Sequence, residues 1–269
     1  MNVNSQAELD RIFKRLSTDY NALNKKQQAF AIREIGRVRT ELADLLTDYA
    51  GSDGVIKRQR IGRLMRDMDE IEALLREHGE FAYDKIISDT SAWTVGGINT
   101  AIGATITVAQ FDRVNRHVLR YVSKRFASDG LVLSDRVWDL SGEIRDELSS
   151  VIRSSILRGE GVSTMIPKIR KVHENETWKI RRLAVTEGNT AYRSATAFNA
   201  KDSDIVEWVK LNDNPGRHRN HEEHRCYELA HADKYGMGAG IYKPTDDEIY
   251  SPHPNCTSYI TYVLDERYL

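Results

Sequence analysis

Five potential metal ligands crowd into two short stretches near the end of this 269-residue chain: His221, His224 and Cys226 in the first, His253 and Cys256 in the second. The chain has two cysteines, and both are among these five. Thiolate and imidazole are the donors that zinc selects, and a His-x-x-Cys step lets one tight loop present two ligands to one ion. One chemistry these residues admit is a single structural zinc ion held by His224, Cys226, His253 and Cys256, with His221 as the alternative ligand. The two halves are about 25 residues apart, a loop that is entropically cheap to close. Pro252 and Pro254 restrict the backbone around His253 and would hold the second pair in place. A second reading is plainer: polar loop histidines beside two small buried thiols.

Catalysis fits the spacing less well. A nucleophilic cysteine needs a base to raise its thiolate fraction, and such a base normally arrives from elsewhere in the fold. His221 and His224 are three residues apart, whereas the zinc-protease motif places its histidines four apart on one helical face. His218, Asn220 and His221 lie too close together to fill the separate roles of a His-Asn-His nuclease. A metal-dependent nuclease or peptidase of a mobile element, built on the His/Cys cluster, is the alternative to a non-enzymatic reading.

Most of the elements that must position these residues read as helices. Ser5 and Glu8 have the spacing of a capping box, and Leu9, Ile12, Phe13 and Leu16 follow on one helical face. Ile35, Val38, Leu42, Leu45 and Tyr49 step by three and four, as do Ile61, Leu64, Met68, Ile71 and Leu75. Between the two stripes, Gly51 to Gly54 is a breaker, so the pair predicts an antiparallel helical hairpin. Gly79 and then Trp93 to Gly103 mark a change of texture, and the Gly/Thr/Ala-rich stretch Thr94–Ala109 reads as a close-packing segment. Further helices are expected around Phe111–Val122, from a Ser134 cap through Ile152, from Ser163 through Ile169 with Pro167 in the first turn, and from Glu176 to about Lys201. The period then changes. Ile205–Leu211 and Tyr259–Leu264 are rich in β-branched and aromatic residues and read as strands bracketing the His/Cys clusters. The expected fold is mainly α: an elongated helical N-terminal region with an antiparallel hairpin, then a small α+β C-terminal domain with a short antiparallel sheet. Residues 1–125 are expected to form a helical arm. Residues 126–269 would hold helices over 134–200 and the α+β tail over 201–269.

Bulk properties narrow the function classes. Lys and Arg total 39 against 40 Asp and Glu, a net charge of −1, so nucleic-acid binding would need a local patch. One candidate is Lys168–Arg182, where six basic residues interleave with Trp178. Two cysteines do not make a secreted disulfide framework, the N-terminus lacks a signal pattern, and no apolar run reaches about 18 residues. A cytoplasmic, membrane-free chain is the expectation.

Several parts of the C-terminal half occur together in order. They are a helix over Val137–Gly159 followed by Gly161 and Ser163; Arg182-Leu183-Ala184-Val185-Thr186-Glu187; a strand with Trp208; Cys226-x-x-Leu229; and His253-Pro254-Asn255-Cys256. Over roughly residues 130–265 this order resembles the Mu F-like head morphogenesis proteins, the minor head or minor capsid proteins of tailed bacteriophages. Thr257-Ser258 stands where that family usually has Arg-Cys, and Glu223 where many members have a further Cys. The resemblance implies a structural component of the virion at the portal vertex and capsid interior, made in the host cytoplasm. Its implied partners are the portal protein, then the major capsid or scaffold protein, with weak or indirect contact with packaged DNA and no membrane. It implies a part in head assembly, DNA packaging or ejection, without catalytic activity. Glu187 has no chemical role in this reading beyond a helix ion pair with an arginine such as Arg193.

Overall fold

A computed structural model describes residues 5–203, 206–215 and 220–263. It is mainly helical, with a small three-stranded antiparallel sheet towards the C-terminus. The helices are α1 (Gln6–Ile35), α2 (Val38–Tyr49), α3 (Ile61–Ile102), α4 (Val108–Lys124), α5 (Leu133–Leu157), α6 (Val162–Lys201) and α7 (Arg225–His231). The strands are β1 (Trp208–Asn212), β2 (Ile241–Tyr242) and β3 (Tyr259–Val263), in the order β2-β1-β3.

The chain forms two compact units that interleave along the sequence. One comprises Met1–Gln27, Asp84–Leu131 and Arg182–Leu269; the other comprises Gln28–Tyr83 and Val132–Arg181. Three of the four boundaries fall inside α1, α3 and α6 and the fourth lies between α4 and α5, whereas the sequence reading divided the chain in order at residue 125.

The second unit contains the expected hairpin. The Tyr49 hydroxyl at the end of α2 donates to Asp67 near the start of α3. At the other end Leu42 and Leu75 line one small apolar cavity with Ile144 and Leu148 of α5 and Ile169 of α6. The two helices therefore run antiparallel, and α5 and α6 cover the seam. Their connecting loop turns at Gly54, whose φ of 73° suits glycine. The Gly54 carbonyl accepts from Val162 N, fixing the loop to the start of α6.

The first unit holds the sheet. Leu9 and Phe13 of α1, Ile98 of α3, Ala197 of α6 and inward residues of β1 and β3 form one buried cluster. The Phe13 ring lies 4.7 Å from that of Tyr262, and Gln6 Nε2 donates to Tyr262 O. The amphipathic stripe read at the N-terminus thus closes over the last strand. Ser5 acts as foreseen, its Oγ accepting from Glu8 N at 3.3 Å.

Several boundaries differ from expectation. No break occurs at Gly79 or at Trp93–Gly97; α3 runs through both to Ile102. Buried Thr90 and Thr94 sit in this helix, where the Thr94 hydroxyl donates to the Thr90 carbonyl, so the small and polar residues serve packing without ending the helix. The two helices expected on either side of Glu176 are one, α6, with Pro167 in its sixth position. Ser134 lies inside α5; the start is capped instead by Asp135, whose carboxylate accepts from Val132 N. The expected strands are β1 and β3, with Ile205 and Leu264 outside the described residues. β2 was not foreseen, since two residues carry no alternation to read.

Replacing Phe13 with alanine removes a fully buried ring from the contact between α1 and β3. It should cost about 3–5 kcal/mol, measured as a lowered denaturation midpoint with an unchanged slope.

Candidate metal centre

Three of the five candidate ligands converge. The Cys226 and Cys256 sulfurs and a His253 ring nitrogen all lie within 4.8 Å of one another. Cys226 is delivered by the first turn of α7, with Leu229 three residues on; both are buried, so the helix turns this face inward. On the opposite side of α7, Tyr227 is half-buried and Glu228 exposed. The Tyr242 hydroxyl of β2 donates to Leu229 O and ties the helix to the sheet. Gly240, just before β2, makes that approach possible. A Cβ there would lie 2.8 Å from both Ala230 O and Leu211 O, and its φ is 77°.

His253 and Cys256 come from the turn preceding β3. Cys256 N donates to His253 O across this turn, and Asn255 takes a left-handed φ of 59°, a conformation asparagine tolerates better than most residues. The His253 ring reaches across to α7, its Nε2 standing 3.1 Å from Cys226 Sγ. Its Nδ1 is 2.8 Å from Pro254 O. With the proton held on Nδ1 and donated to that carbonyl, the Nε2 lone pair faces the sulfurs, the outer-shell arrangement common to metal-bound histidines.

One buried arginine holds this turn. Arg193 of α6 is 1% exposed. Its Nε donates to Tyr250 O at 2.8 Å, and its Nη1 to Cys256 O and Ser258 O at 3.0 Å each. Two more residues on the same side of α6 reach the same segment. Asn255 N donates to Thr186 Oγ1, and Thr190 Oγ1 lies 3.3 Å from Ser251 Oγ. Residues 186, 190 and 193 repeat at helical spacing, so one stripe of α6 acts as the platform for the turn. Beside it Glu187 is fully buried and pairs with Arg125, whose Nη2 lies 3.0 Å from Glu187 Oε2. The partner of Glu187 is thus an arginine at the end of α4, while three bonds of the Arg193 guanidinium go to the turn.

The two thiols share their protons unequally. The Cys226 thiol is pushed well up by its hydrogen bond to Cys256 and by burial. Cys256 is pulled well down by the same hydrogen bond, against desolvation, with the Arg193 charge and His253 adding to the effect. His253 loses basicity to burial but is raised on balance by its hydrogen bond and charge interaction with Cys256. Ser258 Oγ, 3.0 Å from Cys256 Sγ, gives that sulfur a further polar neighbour.

The other two candidates stand apart from the group of three. The His224 ring is half-buried against that of His253, centroids 4.8 Å apart. His221 is buried elsewhere, its Nε2 3.4 Å from Asp213 Oδ2 and its ring edge-on to Tyr227. His218 lies outside the described residues.

The donor set fits a metal ion that favours sulfur and nitrogen. A tetrahedral zinc site with bonds of about 2.3 Å to sulfur spaces its ligand atoms about 3.8 Å apart; the His253–Cys226 pair at 3.1 Å would open slightly and any wider pair, at most 4.8 Å apart, would close, shifts of about an ångström or less. Sequence reasoning missed Arg193, because a lone arginine in a helix normally reads as a solvated residue. The available signal was its setting: Ala191, Ser194, Ala195 and Thr196 are small, and a helix face made of such residues packs too closely to leave a long side chain outside. No helix among the described residues is long and apolar enough to cross a membrane. Comparison with known proteins gives no match to a family model, a curated protein or a solved structure.

Arg193→Met would leave the Tyr250, Cys256 and Ser258 carbonyls without their shared donor. A loss of about 3 kcal/mol or more is expected, since each buried carbonyl left without its donor costs about 1–3 kcal/mol. Chemical denaturation measures it, and faster thiol labelling of Cys256 should accompany it.

Proposed function

We propose that this chain is a structural minor head protein of a tailed bacteriophage, related to the Mu F-like family, and that its Cys/His cluster is an architectural zinc site. One observation carries the reading. Two of the segments in the ordered set that carries the resemblance, Arg182–Glu187 and His253–Cys256, meet through the hydrogen bond from Asn255 N to Thr186 Oγ1. Residues 69 positions apart are joined at the point where the ordered motifs need a shared purpose. That purpose is to brace a turn whose cysteine is 0% exposed, which suits a staple more than a reaction centre.

In this reading the zinc is held by Cys226, His253 and Cys256. His224 is the fourth ligand, brought in by rotation of a ring that already lies tilted against His253, centroids 4.8 Å apart. Bound zinc would supply a cross-link between α7 and the turn before β3, the kind of reinforcement that small α+β units use in place of a larger core. The helical remainder contacts the portal protein and the capsid interior, in the virion and in the host cytoplasm during assembly, without catalysis.

A second reading has its own observation. Three close ligands with the fourth histidine displaced is also the pattern of a catalytic zinc, which keeps a position open. A metal-dependent nuclease or peptidase would follow. Incubation of the zinc-loaded protein with DNA and peptide substrates decides between them: turnover abolished by Cys256→Ser would overturn the structural assignment.

Elemental analysis of the purified protein should find about one zinc per chain, as one four-ligand site requires. Chelation should lower the melting temperature, and Cys256→Ser should abolish both the zinc and its effect on melting. For the virion assignment, co-expression with the portal protein from the same gene cluster should yield a complex that survives gel filtration. Independent elution of the two proteins would count against it.

A further inference from the structure

The basic run that the sequence offered for nucleic acid, Lys168–Arg182, is partly neutralised. Lys168 pairs with Glu160, and Lys179 with both Glu143 and Glu176. A different element carries a sharper concentration of charge. Helix α4 and the residue that ends it hold Arg113, Arg116, Arg120, Lys124 and Arg125 against one acid, Asp112, in a chain whose net charge is −1.

The arrangement on α4 is ordered. Val114, Val118 and Val122 are buried and anchor one face. Arg116, Arg120 and Lys124 are exposed, each four residues from the next, and none forms an ion pair with another described residue. Four residues of helix rise about 6 Å and turn about 40° past a full turn, so the three cations form a gently winding row that rises about 12 Å along the helix. One step of four before Arg116 stands the exposed Asp112, so the row of cations ends at Arg116; Arg113 beside it is committed to Asp202, and Arg125 is buried with Glu187. Just past the helix end Phe126 is 76% exposed, an aromatic side chain left in solvent beside the last cation.

We propose that the outer face of α4 is an interface for the phosphodiester backbone of a nucleic acid. A linear polyanion is the partner whose charge pattern complements an evenly spaced, gently winding row of cations held on a rigid helix. Two of the three are arginines, whose guanidinium fork matches phosphate oxygens in pairs. Phe126 offers a flat apolar surface to a sugar or base next to the bound strand. This interface is independent of the metal centre and of the virion assignment.

The test uses the full chain and two labelled probes, a 24-base-pair DNA duplex and a single strand of the same length, followed by fluorescence anisotropy. At 50 mM salt at least one probe should bind. The slope of log K against log salt should be about −2 to −3, as expected for about three phosphates neutralised. The triple variant Arg116→Glu, Arg120→Glu, Lys124→Glu changes only exposed positions. It should lower affinity by about 30-fold or more, with an unchanged circular dichroism spectrum. Arg170→Glu with Lys171→Glu, on the partly neutralised run, should leave affinity within about twofold. The proposal is overturned if neither probe binds at 50 mM salt or if the triple variant binds as the parent does. It is equally overturned if polyglutamate or phosphatidylserine vesicles bind the parent as tightly as the nucleic acid, which would assign this face to an acidic protein or a membrane.

Discussion

A buried guanidinium is costly unless every donor and the charge itself are met. Arg193 places three of its five N–H donors on carbonyls from one segment, Tyr250 to Ser258. The constraint runs both ways. Those carbonyls point inward at one place because a cation is there, and the turn that carries His253 and Cys256 takes its shape around it. β3 begins at Tyr259, immediately after the last of these carbonyls. The register of β3 against β1, from Trp208 opposite Val263 to Asn212 opposite Tyr259, therefore starts from a fixed point. The geometry of the cysteines and the register of the sheet are two outcomes of one interaction.

The platform on α6 extends this logic. Thr186, Thr190 and Arg193 lie along one stripe and each reaches the segment before β3. Glu187, one step round the helix, is fully buried and balances Arg125. A second buried charge is thus neutralised from the end of α4 rather than from α6 itself. Polar residues inside a helix-rich core are best tolerated when joined in a network, and here the network joins α4, α6 and the turn, while Arg125 Nε and Nη1 have no hydrogen-bond partner among the described residues. The hydrogen bonds give the site its position, and the thiols and imidazole give it its chemistry.

The sequence revealed those features that follow from side-chain period or type. The stripe at Leu9 and Phe13, the hairpin of α2 and α3, and the strands at Trp208 and Tyr259 each show a regular pattern. The convergence of Cys226, His253 and Cys256 was legible from residue type alone. Features that depend on tertiary partners were not legible. Glycines at 79, 96 and 97 look like breaks, but a glycine costs a helix only about 1 kcal/mol, which a long buried helix absorbs. At Gly79 a Cβ would lie 2.8 Å from Val137, so close packing, not chain reversal, explains that residue. His221 and His224 look alike in sequence. One is placed beside Asp213 and the other beside His253, and only the fold separates them.

The pairing of Phe13 with Tyr262 has a consequence for biosynthesis. During translation at roughly 5–20 residues per second, the N-terminal stripe leaves the ribosome some tens of seconds before the strand that covers it. Throughout that interval Leu9 and Phe13 present an uncovered apolar ridge to the surrounding solution. The unit that contains the sheet is completed only once β3 has emerged, about 250 residues after Phe13. Its assembly is governed by contacts between distant parts of the chain, the class of topology that folds slowly and gains most from a chaperone that shields nascent helices.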